Sequence, residues 1–220
     1  MSGARDAGES FVPALGKSWL TPLYDSVAML SGERFFKRRL LENARIRPGH
    51  DVLDLGCGTG TLALMAKAVC RQARVHGLDR DPEILSIARR KVAVSGSAIT
   101  LHEGSATSPP FADGSFDRVL TTLMLHHLTT PQKREALSGA LRILRPGGEL
   151  HIADWGKPHN LAMRVAAMII RYVDGAETTA ANLDGQLQML VEQAGFVDVE
   201  ETQRWMTPFG TLVFLRAVRR

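Results

Sequence analysis

Val52-Leu53-Asp54-Leu55 runs without a break into Gly56-Cys57-Gly58-Thr59-Gly60, and no other stretch of the chain constrains the fold as tightly. A short apolar run holding one acid reads as a buried parallel strand. From Thr61 to Cys70, Leu62, Met65, Ala66 and Val69 recur at the spacing of a helix packed on a sheet. A strand that turns through glycines into a helix N-terminus brings bare backbone against a ligand, because no Cβ stands in the way. The same unit, repeated, builds an α/β domain with helices on both faces of a parallel sheet.

The glycine spacing separates two kinds of nucleotide site. A dinucleotide fingerprint needs G-x-G-x-x-G, whose third glycine lets helix and strand pack closely beside a pyrophosphate. Here the spacing is G-x-G-x-G, and Thr61 stands where that third glycine would be. A second strand, Arg74 to Asp79, ends in an acid nineteen residues after Gly60. A carboxylate there can accept hydrogen bonds from ribose hydroxyls, each worth about 1.5–3 kcal/mol when charge-assisted. Asp79 therefore supports adenosine binding without choosing between cofactors. Asp81-Pro82-Glu83 follows as an N-cap, a first-position proline and a first-turn acid, opening a helix with Ile84, Leu85, Ala88 and Val92 on one side.

Further along, Gly104 to Asp117 contains Phe111-Ala112-Asp113-Gly114-Ser115-Phe116-Asp117, which leads into a fourth strand, Arg118 to Leu123. That strand ends at Met124-Leu125-His126-His127-Leu128. Thr130-Pro131 reads as the start of a helix with Ala136, Leu137, Ala140, Leu141 and Leu144 at core spacing. Leu144-Arg145-Pro146-Gly147-Gly148 then turns into a fifth strand, Glu149 to Ala153.

Taken in order, these segments resemble the S-adenosylmethionine-dependent methyltransferases with a Rossmann-like fold, class I, and within them the quinone-biosynthesis and small-molecule group. The resemblance is strong over residues 48–155 and weaker at the Ala194-Gly195-Phe196 turn. It implies a three-layer fold: a mostly parallel seven-stranded sheet with an antiparallel C-terminal strand, N-terminal helices, and a helical insertion before the last strands. It also implies one domain over residues 1–220, divided into a disordered 1–15, a helical cap 16–47, a cofactor core 48–155, a helical substrate or lid segment 156–195 and C-terminal strands 196–220. The implied cofactor is S-adenosyl-L-methionine, with S-adenosyl-L-homocysteine as product. Its implied contacts are Asp54, Gly56, Cys57, Gly58, Thr59, Gly60, Asp79, Arg80, Ser105, Ala106, Thr122 and Leu123. Many relatives carry an acid after the Gly104 position to meet the adenine amino group; Ser105 stands there in this chain, which leaves adenine recognition partly to backbone.

Two expectations concern the acceptor. Methyl transfer from a sulfonium is an in-line displacement, and a hydroxyl or acidic carbon acceptor must lose a proton. His126 and His127 follow the strand that ends beside the cofactor, and neutral imidazoles titrate in the useful range, so either is a candidate general base. Asp154 is an alternative base, an orienting group, or a plain strand-end carboxylate. Trp19, Tyr24, His127 and Trp155 are candidates for the acceptor wall. Thr21-Pro22 opens a helix carrying Leu23, Val27 and Leu30, and a second helix spans about Glu33 to Ala44 with Phe36 and Leu40 inward.

After the fifth strand, Leu161 to Val173 is nearly continuous in apolar residues, with Lys157, Arg164 and Arg171 at seven-residue spacing. Three uses fit besides a plain cover helix: a lid over a greasy acceptor, an interfacial helix giving peripheral membrane contact through 157–173, or a contact between subunits. A helix over Leu183 to Ala194 and strands near Val197–Thr202 and Thr211–Val218 complete the chain.

Composition excludes more than it selects. Net charge is +4, with basic residues scattered and no stripe interleaved with aromatics, so nucleic acid is not an expected partner. The two cysteines give no disulfide framework and no zinc spacing, so no metal is expected, and they suit a reducing cytoplasm. No apolar run is long enough for a bilayer-spanning helix. The expected partner is a small or lipid-like acceptor such as a quinol or phenol, for a monomer or a homodimer. A non-catalytic domain that keeps the fold as an assembly or regulatory partner is the alternative, and a nicotinamide oxidoreductase a distant third.

Overall fold

The computed structural model describes residues 32–220. The expected helix after Thr21-Pro22, and with it Trp19 and Tyr24, lies outside the described residues. Helix α1 (Glu33–Ala44) leads into β1 (Asp51–Leu55), α2 (Thr61–Val69), β2 (Arg74–Asp79), α3 (Pro82–Ser95), β3 (Ile99–Glu103) and β4 (Phe116–Thr122). A 3-10 turn at Leu125–His127 precedes α4 (Thr130–Ile143) and β5 (Leu144–Trp155). The chain then forms α5 (Leu161–Asp174), α6 (Ala176–Leu183), α7 (Leu187–Gln193), β6 (Val197–Thr207) and β7 (Gly210–Val218).

Seven strands form one sheet in the order β3-β2-β1-β4-β5-β7-β6. β3, β2, β1, β4 and β5 pair in parallel, and β7 runs antiparallel between β5 and β6. Strand order reverses between β1 and β4, so a crevice opens at their C-terminal ends, where open α/β sheets bind ligands. The central strands are buried on both faces, and successive residues join opposite cores. Leu53, Leu55, Val119 and Ile152 join a core with Leu137 and Ala140 of α4 and Leu187 and Leu190 of α7. Val52, Leu120, Ala153 and Phe214 join a second core with Phe36 and Leu40 of α1 and Leu62 and Ala66 of α2. The three-layer expectation is met, including the antiparallel C-terminal pair.

Local chemistry fixes most boundaries. Asp81 accepts from the backbone N–H of Glu83 and Ile84 at 2.9 and 3.2 Å, with Pro82 in the first turn, and Gly96 closes α3 in the left-handed region. Two details differ from the sequence reading. The cap of α4 is Thr129, not Thr130: its hydroxyl and the Gln132 side chain form a reciprocal capping box. The single helix expected over Leu183 to Ala194 is two, because Gly185 sits at φ +80 and ends α6 before α7 begins. In β5 the Arg145–Gly148 turn is looped out between the pairs Phe116–Leu144 and Arg118–Glu149, so the strand begins earlier than Glu149.

Candidate active site

The crevice is built from the ends of β1, β2, β4 and β5. After β1, the N–H groups of Gly56 and Cys57 both donate to Leu78 O at 2.9 Å, which pins the turn to β2. A Cβ at Gly56 would stand 2.4 Å from Met124 Cγ, so this glycine is required by packing against the segment after β4. A Cβ at Gly58 would meet nothing within 4 Å among the described residues. Gly58 thus presents bare backbone to open space at the mouth of the crevice. Cys57 is buried, and a Cβ at Gly77 of β2 would stand 2.9 Å from its Sγ, so its thiol packs against the sheet. Burial pushes that thiol up, out of the reactive range. Lys91 donates to the hydroxyls of Thr59 and Thr61 at 3.0 and 2.9 Å and ties α3 to the first turn of α2.

Two carboxylates serve this turn. Asp79 Oδ2 accepts the Gly58 N–H at 2.8 Å and Oδ1 accepts the Asp81 N–H at 3.0 Å. Its burial raises its pKa, and those backbone donors oppose the shift. Arg80 lies between the two acids, on the connection from β2 to α3. Asp54 is fully buried beneath the turn. Its Oδ2 accepts the Ala63 N–H at 3.0 Å, and its Oδ1 has no partner among the described residues. Burial pushes this carboxyl up to about 7, against the pull of the Lys37 ammonium. Asp54 Oδ1 is thus an unpartnered polar atom sealed beneath the glycine turn.

Beyond β3, the Ser105 hydroxyl is 2.7 Å from Thr107 Oγ1 and accepts the Thr107 N–H at 3.2 Å, so it is spent within its own loop. Ala106 and Phe111 both pack against the core. At the end of β4, Thr122 is buried, and Leu123 has φ +49, a conformation that costs a non-glycine residue about 1–2 kcal/mol. The Leu123 N–H donates to Ala153 O at 2.9 Å, and this kink sends the chain into the 3-10 turn.

That turn carries the histidines, and they differ sharply. His126 is buried, with Nδ1 2.7 Å from Asp154 Oδ1, while Asp154 Oδ2 accepts the Leu125 N–H at 2.9 Å. Burial alone would raise Asp154, but the His126 imidazole beside it brings the carboxyl below its usual value. On the other side His126 Nε2 stands 3.8 Å from Asp174 Oδ2, at the end of α5. The His127 ring lies with its centroid 4.0 Å from that of His126 and reaches the surface. The protein packed around it and the neighbouring imidazole hold its pKa well below the ordinary histidine value, so it is neutral at physiological pH. Trp155 follows Asp154, its ring 6.2 Å from His126, and packs on Ala167, Ile170 and Leu183.

Sequence reasoning missed Asp174 and Lys133. Lys133 is completely buried in α4 and donates to Leu128 O and to Thr178 O. Burial brings its ammonium down to about 8. It clamps the histidine turn to α6, and nothing in its helical spacing separates it from a solvent-facing lysine. Donor atoms of His126, His127 and Asp174 lie within 4.8 Å of one another. Ligands of one small cation bound at about 2 Å stand nearer, roughly 3–3.5 Å apart, so the group would have to contract to hold an ion.

Fold and site together define a class: an α/β domain with an adenosine-type crevice at its topological switch point. Comparison narrows it. Residues 52–148 match the family model described as "Methyltransferase domain". An "Uncharacterized methyltransferase" of Synechocystis is 35% identical over 186 residues, covering 83% of this chain and 84% of that one. The "Ubiquinone/menaquinone biosynthesis C-methyltransferase UbiE" of Shewanella pealeana is 30% identical over 190 residues, covering 77% and 75%. Among solved structures, phosphoethanolamine N-methyltransferase 2 of Haemonchus contortus, in complex with S-adenosyl-L-methionine, superposes with a TM-score of 0.77 at 19% identity, over 94% of this chain and 58% of that one. The chain belongs to the class I S-adenosylmethionine-dependent methyltransferases. Among the described residues no helix is long and apolar enough to cross a membrane.

Proposed function

We propose that the chain methylates a quinol, a phenol or a similar lipid-like acceptor, as a cytoplasmic enzyme. A "Demethylmenaquinone methyltransferase" of Thermus thermophilus, 35% identical over 144 residues and covering 64% of each chain, supports that acceptor class, as does the UbiE relative. The observation that carries the site assignment is the open space over Gly58 among the described residues, with the Asp79 carboxylate bonded to its N–H.

S-adenosylmethionine supplies a methyl group on a sulfonium. The chain's own contribution begins with Asp79, which keeps lone pairs free to accept ribose hydroxyls while it holds the Gly58 backbone in place. The bare glycine turn, held over the buried Asp54, receives the cofactor's polar groups. Ala106, Thr122 and Leu123 line the far side, and Ser105 contributes through its backbone. Fixing the acceptor in line with the transferable methyl is worth about 7–11 kcal/mol of barrier, the largest single effect available to such a site.

His127, whose ring reaches the surface, is the member of the pair assigned to the acceptor's proton; its lowered pKa keeps it neutral and makes it a weak base. His126 is held by Asp154 and sets the orientation of the turn. Trp155 forms the acceptor wall together with α5. The test is release of S-adenosylhomocysteine when the purified protein is offered demethylated quinols and simple phenols. Binding of S-adenosylhomocysteine without turnover of any acceptor would move the chain to the alternative, a non-catalytic assembly or regulatory domain.

A further inference from the structure

The helix α5 has an exposed surface that a monomeric globular domain does not ordinarily present to water. Leu161, Val165, Met168, Ile169, Tyr172 and Val173 are all exposed, Leu161 by 76% and Tyr172 by 91%. These six are half of the large apolar side chains exposed among the described residues. At 100° per residue they fill one broad arc, while Met163, Ala166, Ala167 and Ile170 fill the opposite arc and are buried. The apolar patch continues past the helix. Asn160 Nδ2 lies 3.1 Å from Met206 Sδ, which brings the β6–β7 hairpin tip, with exposed Met206 and Phe209, beside the start of α5.

A row of cations borders the arc. Lys157, Arg164 and Arg171 line a groove of about 640 Å³ together with Pro158, Ala167, Met168, Leu183 and Asp184. Arg171 pairs with Asp184 at 2.8 Å, whereas Lys157 and Arg164 have no carboxylate partner among the described residues. Of the other acids nearby, Asp174 turns inward to His126 and Glu177 is exposed on α6. The groove thus offers two uncompensated cations over an apolar floor, next to an apolar face about fourteen residues long.

We propose that α5 lies flat on a membrane of anionic phospholipid, its apolar arc in the acyl boundary and a headgroup phosphate in the Lys157–Arg164 groove. Side chains of this kind settle with the apolar face sunk to headgroup depth and the basic stems reaching up to phosphates. A second copy of the chain fits the charges less well: the acid bordering this face, Asp184, is already paired, so two copies would oppose cations to cations. The placement deepens the reading of a lipid-like acceptor and rests on it for its purpose. The buried side of α5 packs on Trp155 and ends at Asp174 against His126, so the docked helix would form the wall between bilayer and acceptor site.

The full chain should sediment with vesicles of phosphatidylcholine and phosphatidylglycerol mixed equally, more weakly as salt rises, and poorly with phosphatidylcholine alone. Lys157→Gln and Arg164→Gln should each weaken that binding about fivefold. Val165→Glu with Ile169→Glu should abolish it. Titration with S-adenosylhomocysteine, unchanged in every variant, verifies that they fold. The proposal is overturned if the parent ignores the mixed vesicles, if binding survives both pairs of substitutions, or if light scattering shows a dimer that Ile169→Glu splits, which would give the face to a second copy. Loss of S-adenosylhomocysteine release with vesicle binding intact would instead count against the catalytic reading alone.

Discussion

Asp79→Ala tests the cofactor assignment most directly. In the folded chain the carboxylate accepts two backbone N–H groups, from Gly58 at 2.8 Å and Asp81 at 3.0 Å. Removing it strands both donors, but it also removes a buried charge whose desolvation already raises its pKa. These effects oppose, so the stability change should stay within about 1 kcal/mol. Cofactor binding has no such compensation. One ribose hydroxyl bonded to a carboxylate contributes about 1.5–3 kcal/mol, a factor of roughly 10 to 150 in affinity. The Gly58 backbone, released from its anchor, adds to the loss. Calorimetric titration with S-adenosylhomocysteine should therefore show at least a roughly tenfold weaker Kd in Asp79→Ala, with Asp79→Asn between variant and parent. Because burial raises this carboxyl, parent affinity should also fall as pH drops through its raised pKa, and Asp79→Asn should lack that dependence. A Kd within about threefold of the parent, in a variant whose Tm is unchanged, would refute the argument.

Asp54, pushed up to about 7, makes a stability prediction of definite sign. Between roughly pH 4 and 7 the folded chain keeps a proton that the unfolded chain has lost, so stability falls as pH rises and the full cost is present above 7. Asp54→Asn should thus stabilise the cofactor-free protein more at pH 8 than at pH 5, by up to about 2.6 kcal/mol in denaturant titrations. Equal effects at both pH values would show that Asp54 is not buried with its charge. His127→Ala should lower kcat by about 10²–10⁴ while leaving S-adenosylhomocysteine binding intact. A kcat near the parent's would remove His127 from the proton path. The glycines should separate: Gly58→Ala costs about 1–2 kcal/mol of backbone strain at φ +52 and places a methyl in open ligand space, so it should weaken cofactor binding by more than it lowers stability, as read by calorimetry and thermal melts. Gly56→Ala should do the reverse, since its Cβ would collide with Met124.

The legible parts of this fold are those whose signals are local. β1 and β2 carry their apolar runs within a few residues, and Asp81-Pro82-Glu83 announces its helix by chemistry that acts across a single turn. The order of these segments also carried the family resemblance. Errors arose where two local readings compete. Thr129 and Thr130 both offer a hydroxyl before Pro131, and only the reciprocal bond with Gln132 chooses between them. Leu183 and Leu187 keep helical spacing across Gly185, so periodicity hides a break that a left-handed glycine imposes.

The acceptor end was less legible for a deeper reason. What distinguishes His126 from His127 is a carboxylate twenty-eight residues away, delivered by the pairing of β4 with β5. What distinguishes Lys133 from an ordinary helix lysine is that α6 closes over it and offers the Thr178 carbonyl. Asp174 enters the site because α5 packs on Trp155 and ends opposite His126. The last two of these contacts depend on the helical segment 156–195 folding back across the sheet, whereas the cofactor end is assembled within consecutive βα units. The division has a chemical consequence. A cofactor site written into contiguous strand-turn-helix units can stay fixed while the segment over the histidines changes its apolar face, and with it the acceptor. On the proposed assignment, the identity of the methylated compound is to be sought in the helical segment beside the histidine turn, where Asp174 meets His126 and His127 and Trp155 packs on α5, and not in the glycine turn.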